Sequence, residues 1–140
     1  MTDITNLGQL VTRVLTHLED GTYRNGFCEP FVRGSADGQA CVFEDPEVRG
    51  EFEFQVQMVV MRTPPGREAQ LYRRLLELNH GLRGRAAFCL EKNGTVSLVA
   101  ARPVLDLDPS EVVDLILWTS HQADLLDDVL LKEFGYEHAL

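Results

Sequence analysis

Lysine is nearly missing from this 140-residue chain: Lys92 and Lys132 stand against eleven arginines, and the 13 basic residues together are outnumbered by 22 acids. The resulting net charge of -9 opposes nonspecific DNA or RNA binding, which depends on neutralising phosphates with Lys and Arg. It equally opposes docking on an anionic membrane. No run approaches 18 consecutive apolar residues, so no spanning helix is expected. The N-terminus has neither a basic n-region nor an apolar h-region, which predicts no secretory leader. Cysteine is scarce too. Cys28, Cys41 and Cys89 are odd in number, far apart and without C-x-x-C spacing. They are read as free, small core residues in a chain from the reducing cytoplasm.

What remains is an ordinary globular balance, 44% apolar and 25% charged, which at this length fits one domain over residues 1–140 with a core that needs no metal staple. Leu7, Leu10, Val11, Val14, Leu15 and Leu18 recur at helical spacing, so residues 6–19 read as a helix. Asn6 and Gln9 offer a capping box and Gly21 a stop. Phe27 to Arg33 and Gln39 to Glu44 read as strands joined around Asp37-Gly38. From Glu51 to Met61 the pattern alternates: Phe52, Phe54, Val56, Met58 and Val60 on one face, and Glu51, Glu53, Gln55 and Gln57 on the other. One face is core and the other wet, which is antiparallel behaviour. At Val59 and Met61 the polar face turns apolar, as if that end were covered. Residues 67–80 return to helical spacing through Leu71, Leu75 and Leu78, with Asn79-His80-Gly81 as the stop. Asn93-Gly94 is a hairpin signal between 86–92 and 95–102. Asp108-Pro-Ser-Glu111 opens a last helix, from Pro109 to about Glu133, with Val112, Ile116, Ala123, Leu126 and Leu130 as its stripe. The order α-β-β-β-α-β-β-α predicts an α+β fold, an antiparallel sheet packed with three helices.

Residues 71–134 carry a resemblance. Leu75-Leu76-Glu77-Leu78-Asn79 closes a helix, and Ala87-Phe88-Cys89-Leu90 leads into Asn93-Gly94. Arg102-Pro103-Val104 and Asp108-Pro109-Ser110-Glu111 then open an acidic helix containing Ala123-Asp124. This string resembles the type III secretion chaperone-like fold of Tir-chaperone proteins and the YbjN family. The resemblance implies a small acidic homodimer without enzymatic activity that binds another protein, as a secretion chaperone or in stress response and regulation. It places subunit pairing on Leu71, Tyr72 and Leu75 with the Ala87–Cys89 strand. Client contacts are expected at Trp118, Leu125 and the acidic residues Asp114, Asp124, Asp127 and Asp128.

Reaction chemistry is not visible in the residues themselves. His17, His80, His121 and His138 form no H-E-x-x-H and read as surface or helix-end residues. Asp106, Asp108, Ser110 and Glu111 bunch their oxygens, but the EF-hand pattern fails because its sixth position is Glu111 rather than Gly. Ser35, Ser97, Ser110 and Ser120 lie outside any G-x-S-x-G, and there is no G-x-x-x-x-G-K-[ST] loop. Neither cofactor nor metal is expected. The competing class is a small ligand-binding domain or enzyme whose site is assembled from separate elements; a deep pocket with converging polar groups would mark it.

Charge is unevenly placed. Residues 1–61 carry 10 acids and 4 bases, 62–103 carry 3 acids and 8 bases, and 104–140 carry 9 acids and 1 base. Arg67, Arg73, Arg74, Arg83 and Arg85 gather around the second helix, which predicts ion pairs within or between subunits. The acidic third helix is suited to steering a client protein that is basic or nucleic-acid-binding. That helix also carries Val113, Leu115, Leu117, Trp118, Leu125 and Leu131 beside its stripe, a surplus expected either to thicken the core or to meet another polypeptide.

Overall fold

The computed structural model describes residues 2–34 and 36–135; Ser35 and His138 lie outside them. A two-residue strand β1 (Thr2–Asp3) and a 3-10 turn (Ile4–Asn6) lead into α1 (Leu7–Asp20). Then follow β2 (Phe27–Arg33), β3 (Ala36–Glu44), β4 (Phe52–Arg62), α2 (Glu68–Leu82), β5 (Ala87–Leu90), β6 (Thr95–Pro103) and α3 (Pro109–Phe134). The expected α+β order holds. Five strands pair antiparallel in the order β2-β3-β4-β6-β5, and β1 adds a short parallel edge beside β2 that the sequence pattern does not announce.

The register assigns every strand residue to one of two faces, because directly opposed residues share a face. Val42 faces Phe54, Ala40 faces Val56, and Val56 in turn faces Ala100; Met58 lies between Gly38 and Leu98. These side chains, with Phe31 and Phe88, form one core with Leu10 and Val14 of α1, Leu71 and Leu75 of α2, and Val112, Ile116 and Leu130 of α3. Every strand residue of that core lies on the same face, so all three helices draw on one side of the sheet.

Three local expectations are corrected. Asp37-Gly38 is not the hairpin turn: β2 and β3 join between Arg33 and Ala36, with Gly34 at φ 58° taking the left-handed conformation. Gly38 is instead a strand position where bulk is forbidden, since a Cβ there would collide with Met58 Sδ and sit 2.9 Å from Phe31 Cζ. The apolar turn at Val59 and Met61 is a β-bulge rather than a covered end. Val59 opposes Ser97 while Met61 opposes Val96, so Val60 and Met61 both reach the core, 5% and 0% exposed. Asn6 makes no side-chain cap. Asp108 does cap, accepting from the Glu111 N–H at 3.0 Å, and its bonds from Ser110 and then Glu111 hold its carboxyl below the usual range.

The cysteines also differ from expectation. Cys28 and Cys41 stand directly opposite each other on β2 and β3, Cα atoms 4.1 Å apart, and form a disulfide. Sequence spacing of 13 residues hides a pairing that only strand register creates. The bond takes away the cysteine-based expectation of a reducing compartment; only Cys89 is free. Among the described residues, no helix is long and apolar enough to cross a membrane.

Candidate protein-binding surface

The sheet face turned away from the helices carries Cys28, Pro30 and Val32 of β2, and Asp37, Gln39, Cys41 and Phe43 of β3. From β4 it takes Glu53, Gln55, Gln57 and Val59, opposite Ala101, Val99 and Ser97 of β6, with Ala87 and Cys89 of β5 alongside. A chain of side-chain hydrogen bonds runs across it. Gln39 Nε2 donates to Gln57 Oε1 (3.0 Å), Gln57 Nε2 to Gln55 Oε1 (2.8 Å), and Gln55 Nε2 to Glu53 Oε1 (2.7 Å). The ladder satisfies the polar groups of the wet face, ends on a carboxylate, and leaves the flanks to Val59, Val99, Ala101, Ala87 and Cys89. Phe43, at one corner, is 41% exposed. A shallow concavity of about 560 Å³ opens over Pro30, Gln39, Gln57, Val59, Thr95 and Ser97. Burial pushes the Cys89 thiol pKa up, and the Glu91 carboxylate adds to the shift, so this cysteine stays protonated rather than nucleophilic.

The residues assigned to subunit pairing divide. Leu71 and Leu75 are 0% and 6% exposed, taken up by the chain's own core, whereas Tyr72 is 38% exposed on the outer side of α2, beside Leu76, which is not among the assigned residues and is 69% exposed. Ala87 is exposed and Cys89 half-buried, both on the open face. α2 runs to Leu82 and turns at Arg83 (φ 55°), past the expected stop. Asn79 therefore remains helical, and its side-chain oxygen accepts the Phe88 N–H at 2.6 Å. That bond caps the outer edge of β5 with a side chain, which discourages another strand from pairing there.

The residues assigned to the client divide as well. Glu111, Asp114, Leu117, His121, Asp124, Leu125 and Asp128 fall on one solvent-facing stripe of α3. Leu125 is 51% and Leu117 38% exposed on it, while Leu115 and Leu131, part of the apolar surplus, are buried. Asp127 lies at the margin of the stripe, its pKa raised to about 6 by burial, then by Asp128 and Asp124. Trp118 is half-buried and carries the Arg85 guanidinium 3.9 Å above its ring. Two of the other arginines around α2 tie that helix to α3. Arg74 pairs with Glu133 of α3 at 3.0 Å, and Arg67 donates to the Glu133 carbonyl while lying 4.5 Å from the Phe134 ring.

His17 sits in the last turn of α1, a helix-end histidine, where it stacks on Phe27 at 4.2 Å and lies 3.4 Å from Glu29. Among the described residues, no group of three or more His, Cys, Asp or Glu is placed to hold a metal ion. A cavity near the tip of the sheet, about 600 Å³, contains Arg24, which already lies over the Tyr23 and Phe52 rings. Sequence reasoning missed the amide ladder and the Asn79 cap; the even-odd alternation of β4 marks the ladder's strand, but not which amides meet.

No curated protein matches the chain. Among solved structures, a chain of the crystal structure of the ExsC–ExsE complex matches with a TM-score of 0.57 at 15% identity, covering 86% of this chain and 96% of that one. That likeness is one of fold, and it agrees with the secretion-chaperone-like architecture that the sequence resemblance implies. A family model described as "Putative bacterial sensory transduction regulator" matches residues 8–132, a description of a regulator and not of a catalyst. The helix-backed sheet, its open face and this match together place the chain in the YbjN family.

Proposed function

We propose that this chain is a non-enzymatic protein-binding module, chaperone-like or regulatory, that pairs with a second copy of itself and holds a client polypeptide. The observation that carries the reading is the helix-free face of the sheet. Of the chain's 22 acids, only Asp3 on the short β1 edge, Asp37 and Glu53 fall on strand positions of this face among the described residues. Two bodies of net charge -9 repel each other over most of their surface, and that repulsion is weakest where this face meets its copy. Val59, Val99, Ala101, Ala87 and Cys89 supply apolar area, and the amide ladder supplies groups already bonded, so little polar desolvation opposes contact. The pairing surface is therefore centred on Ala87 and Cys89, with Tyr72 and Leu76 of the adjoining helix, and without Leu71 and Leu75.

The client surface is the exposed stripe of α3. Leu117 and Leu125 among Asp114, Asp124 and Asp128 suit a basic segment carrying apolar anchors; Trp118, already under Arg85, flanks the stripe rather than offering a bare ring. The fold likeness to a chain solved as part of a two-protein complex supports a protein partner.

Light scattering at micromolar concentration tests the pairing. The expected mass is near twice 15.8 kDa for the natural chain, falling to one subunit in Ala87→Arg with thermal unfolding retained. A natural chain that is strictly monomeric removes the pairing, and an Ala87→Arg variant that stays dimeric moves it to another face.

A further inference from the structure

We infer that the cleft between the mid-section of α3 and the sheet is a binding site for a small oxyanion-bearing molecule, gripped by Arg33, Arg85 and Arg102 around Trp118. In so acid-rich a chain most guanidinium groups should find carboxylates, and several do: Arg13 meets Glu29 at 3.2 Å, Arg73 meets Glu77 at 3.3 Å and Arg74 meets Glu133 at 3.0 Å. Arg33, Arg85 and Arg102 do not, among the described residues. Arg33 Nη1 donates to Ser120 Oγ (3.1 Å), Arg102 Nη1 to the Ala101 carbonyl (2.7 Å), and Arg85 lies over the indole. Each therefore keeps most of its five donors unclaimed by protein.

Three chain segments far apart in sequence bring these groups together. One cavity of about 170 Å³ is lined by Arg85, Arg102, Glu111, Asp114, Leu115 and Trp118. A second of about 460 Å³ is lined by Arg33, Arg85, Asp114, Leu117, Trp118 and His121. Arg85, Asp114 and Trp118 belong to both, so the two meet at the indole as one shallow, open site. Guanidinium forks match phosphate and carboxylate oxygens in pairs. The layered guanidinium and indole give a flat wall. Asp114 and Glu111, both exposed, are placed to accept from hydroxyl or amine groups on the body of the same ligand.

Trp118 is the only tryptophan, so its emission reads this site directly. Inorganic pyrophosphate and citrate are titrated separately into the full chain at ionic strength held constant with sodium chloride. The expected result is a saturable change in emission with at least one of them, weakened about tenfold or more in Arg102→Gln and in Arg33→Gln. Saturation by pyrophosphate alone identifies a phosphate ligand, by citrate alone a carboxylate one, and by both an oxyanion site without preference. A change that never saturates, that sodium chloride reproduces, or that both variants retain in full overturns the site. So does a response to an oligoglutamate peptide with none to either small anion.

Discussion

The two faces of one sheet are built from alternate residues of the same strands, yet they serve different ends. On β4, Phe54, Val56 and Met58 are wholly enclosed, while Gln55 and Gln57, one position away, lie half-buried in a ladder of amides. The enclosed face owes its dryness to helices from three distant parts of the chain. The open face carries few charges, the composition that the proposed pairing with a second copy calls for. The contrast teaches that the fold is specified from one side, which leaves the other free to be selected for contact.

Substitutions that strike the two faces unequally would sharpen or break this contrast. Phe54→Ala should cost about 3–5 kcal/mol in urea unfolding, the usual cost of emptying a fully enclosed aromatic site, whereas Gln57→Ala on the same strand should cost under about 1 kcal/mol. Similar losses from both would mean that the open face is structural. Leu75→Glu belongs with the larger effect: it should unfold the chain rather than separate subunits, because it buries an unpaired charge in the core. Gly38→Ala should follow, at about 1–3 kcal/mol from overpacking against Met58 and Phe31. Asn79→Ala orphans the Phe88 N–H and should cost about 1–2 kcal/mol, with greater aggregation on light scattering as the β5 edge is unmasked.

Asp127 gives the smallest effect. Its folded-state pKa, about 6, lies above the unfolded value, so the fold favours the protonated carboxyl. That contribution is fully present below about pH 4 and is lost as pH rises through 6. Asp127→Asn should therefore raise the melting temperature at pH 7.5 and leave it unchanged near pH 4, with a gain of ~0.5 kcal/mol or less because solvent screens so exposed a group. An equal gain at both pH values would show that charge is not the cause.

Much of this architecture was legible in the residues. The 3.6-residue recurrence in α1, the strict alternation along β4 and the Asp108-Pro-Ser-Glu111 start of α3 each depend on local chemistry, and each element forms where that chemistry puts it. What was illegible depends on register. Asp37-Gly38 carries a turn signal, but the steric need for glycine against Met58 places it inside a strand. Cys28 and Cys41 look like isolated core residues until antiparallel pairing sets them opposite each other. Leu71 and Leu75 look available for pairing because a helical stripe does not say whether it faces its own sheet or another chain. The arginines around Trp118 are scattered over 70 positions and could not have been associated from spacing alone.

Cys89 offers the most direct test of what happens at the uncovered strands, since it is the one free thiol and lies among them. Its rate of alkylation by a neutral maleimide, measured with the Cys28–Cys41 bond intact, should fall as the chain is concentrated from nanomolar to high micromolar, and Ala87→Arg should restore the dilute rate. An alkylation rate that is the same at every concentration and in both proteins would contradict the claim that a second polypeptide covers this surface.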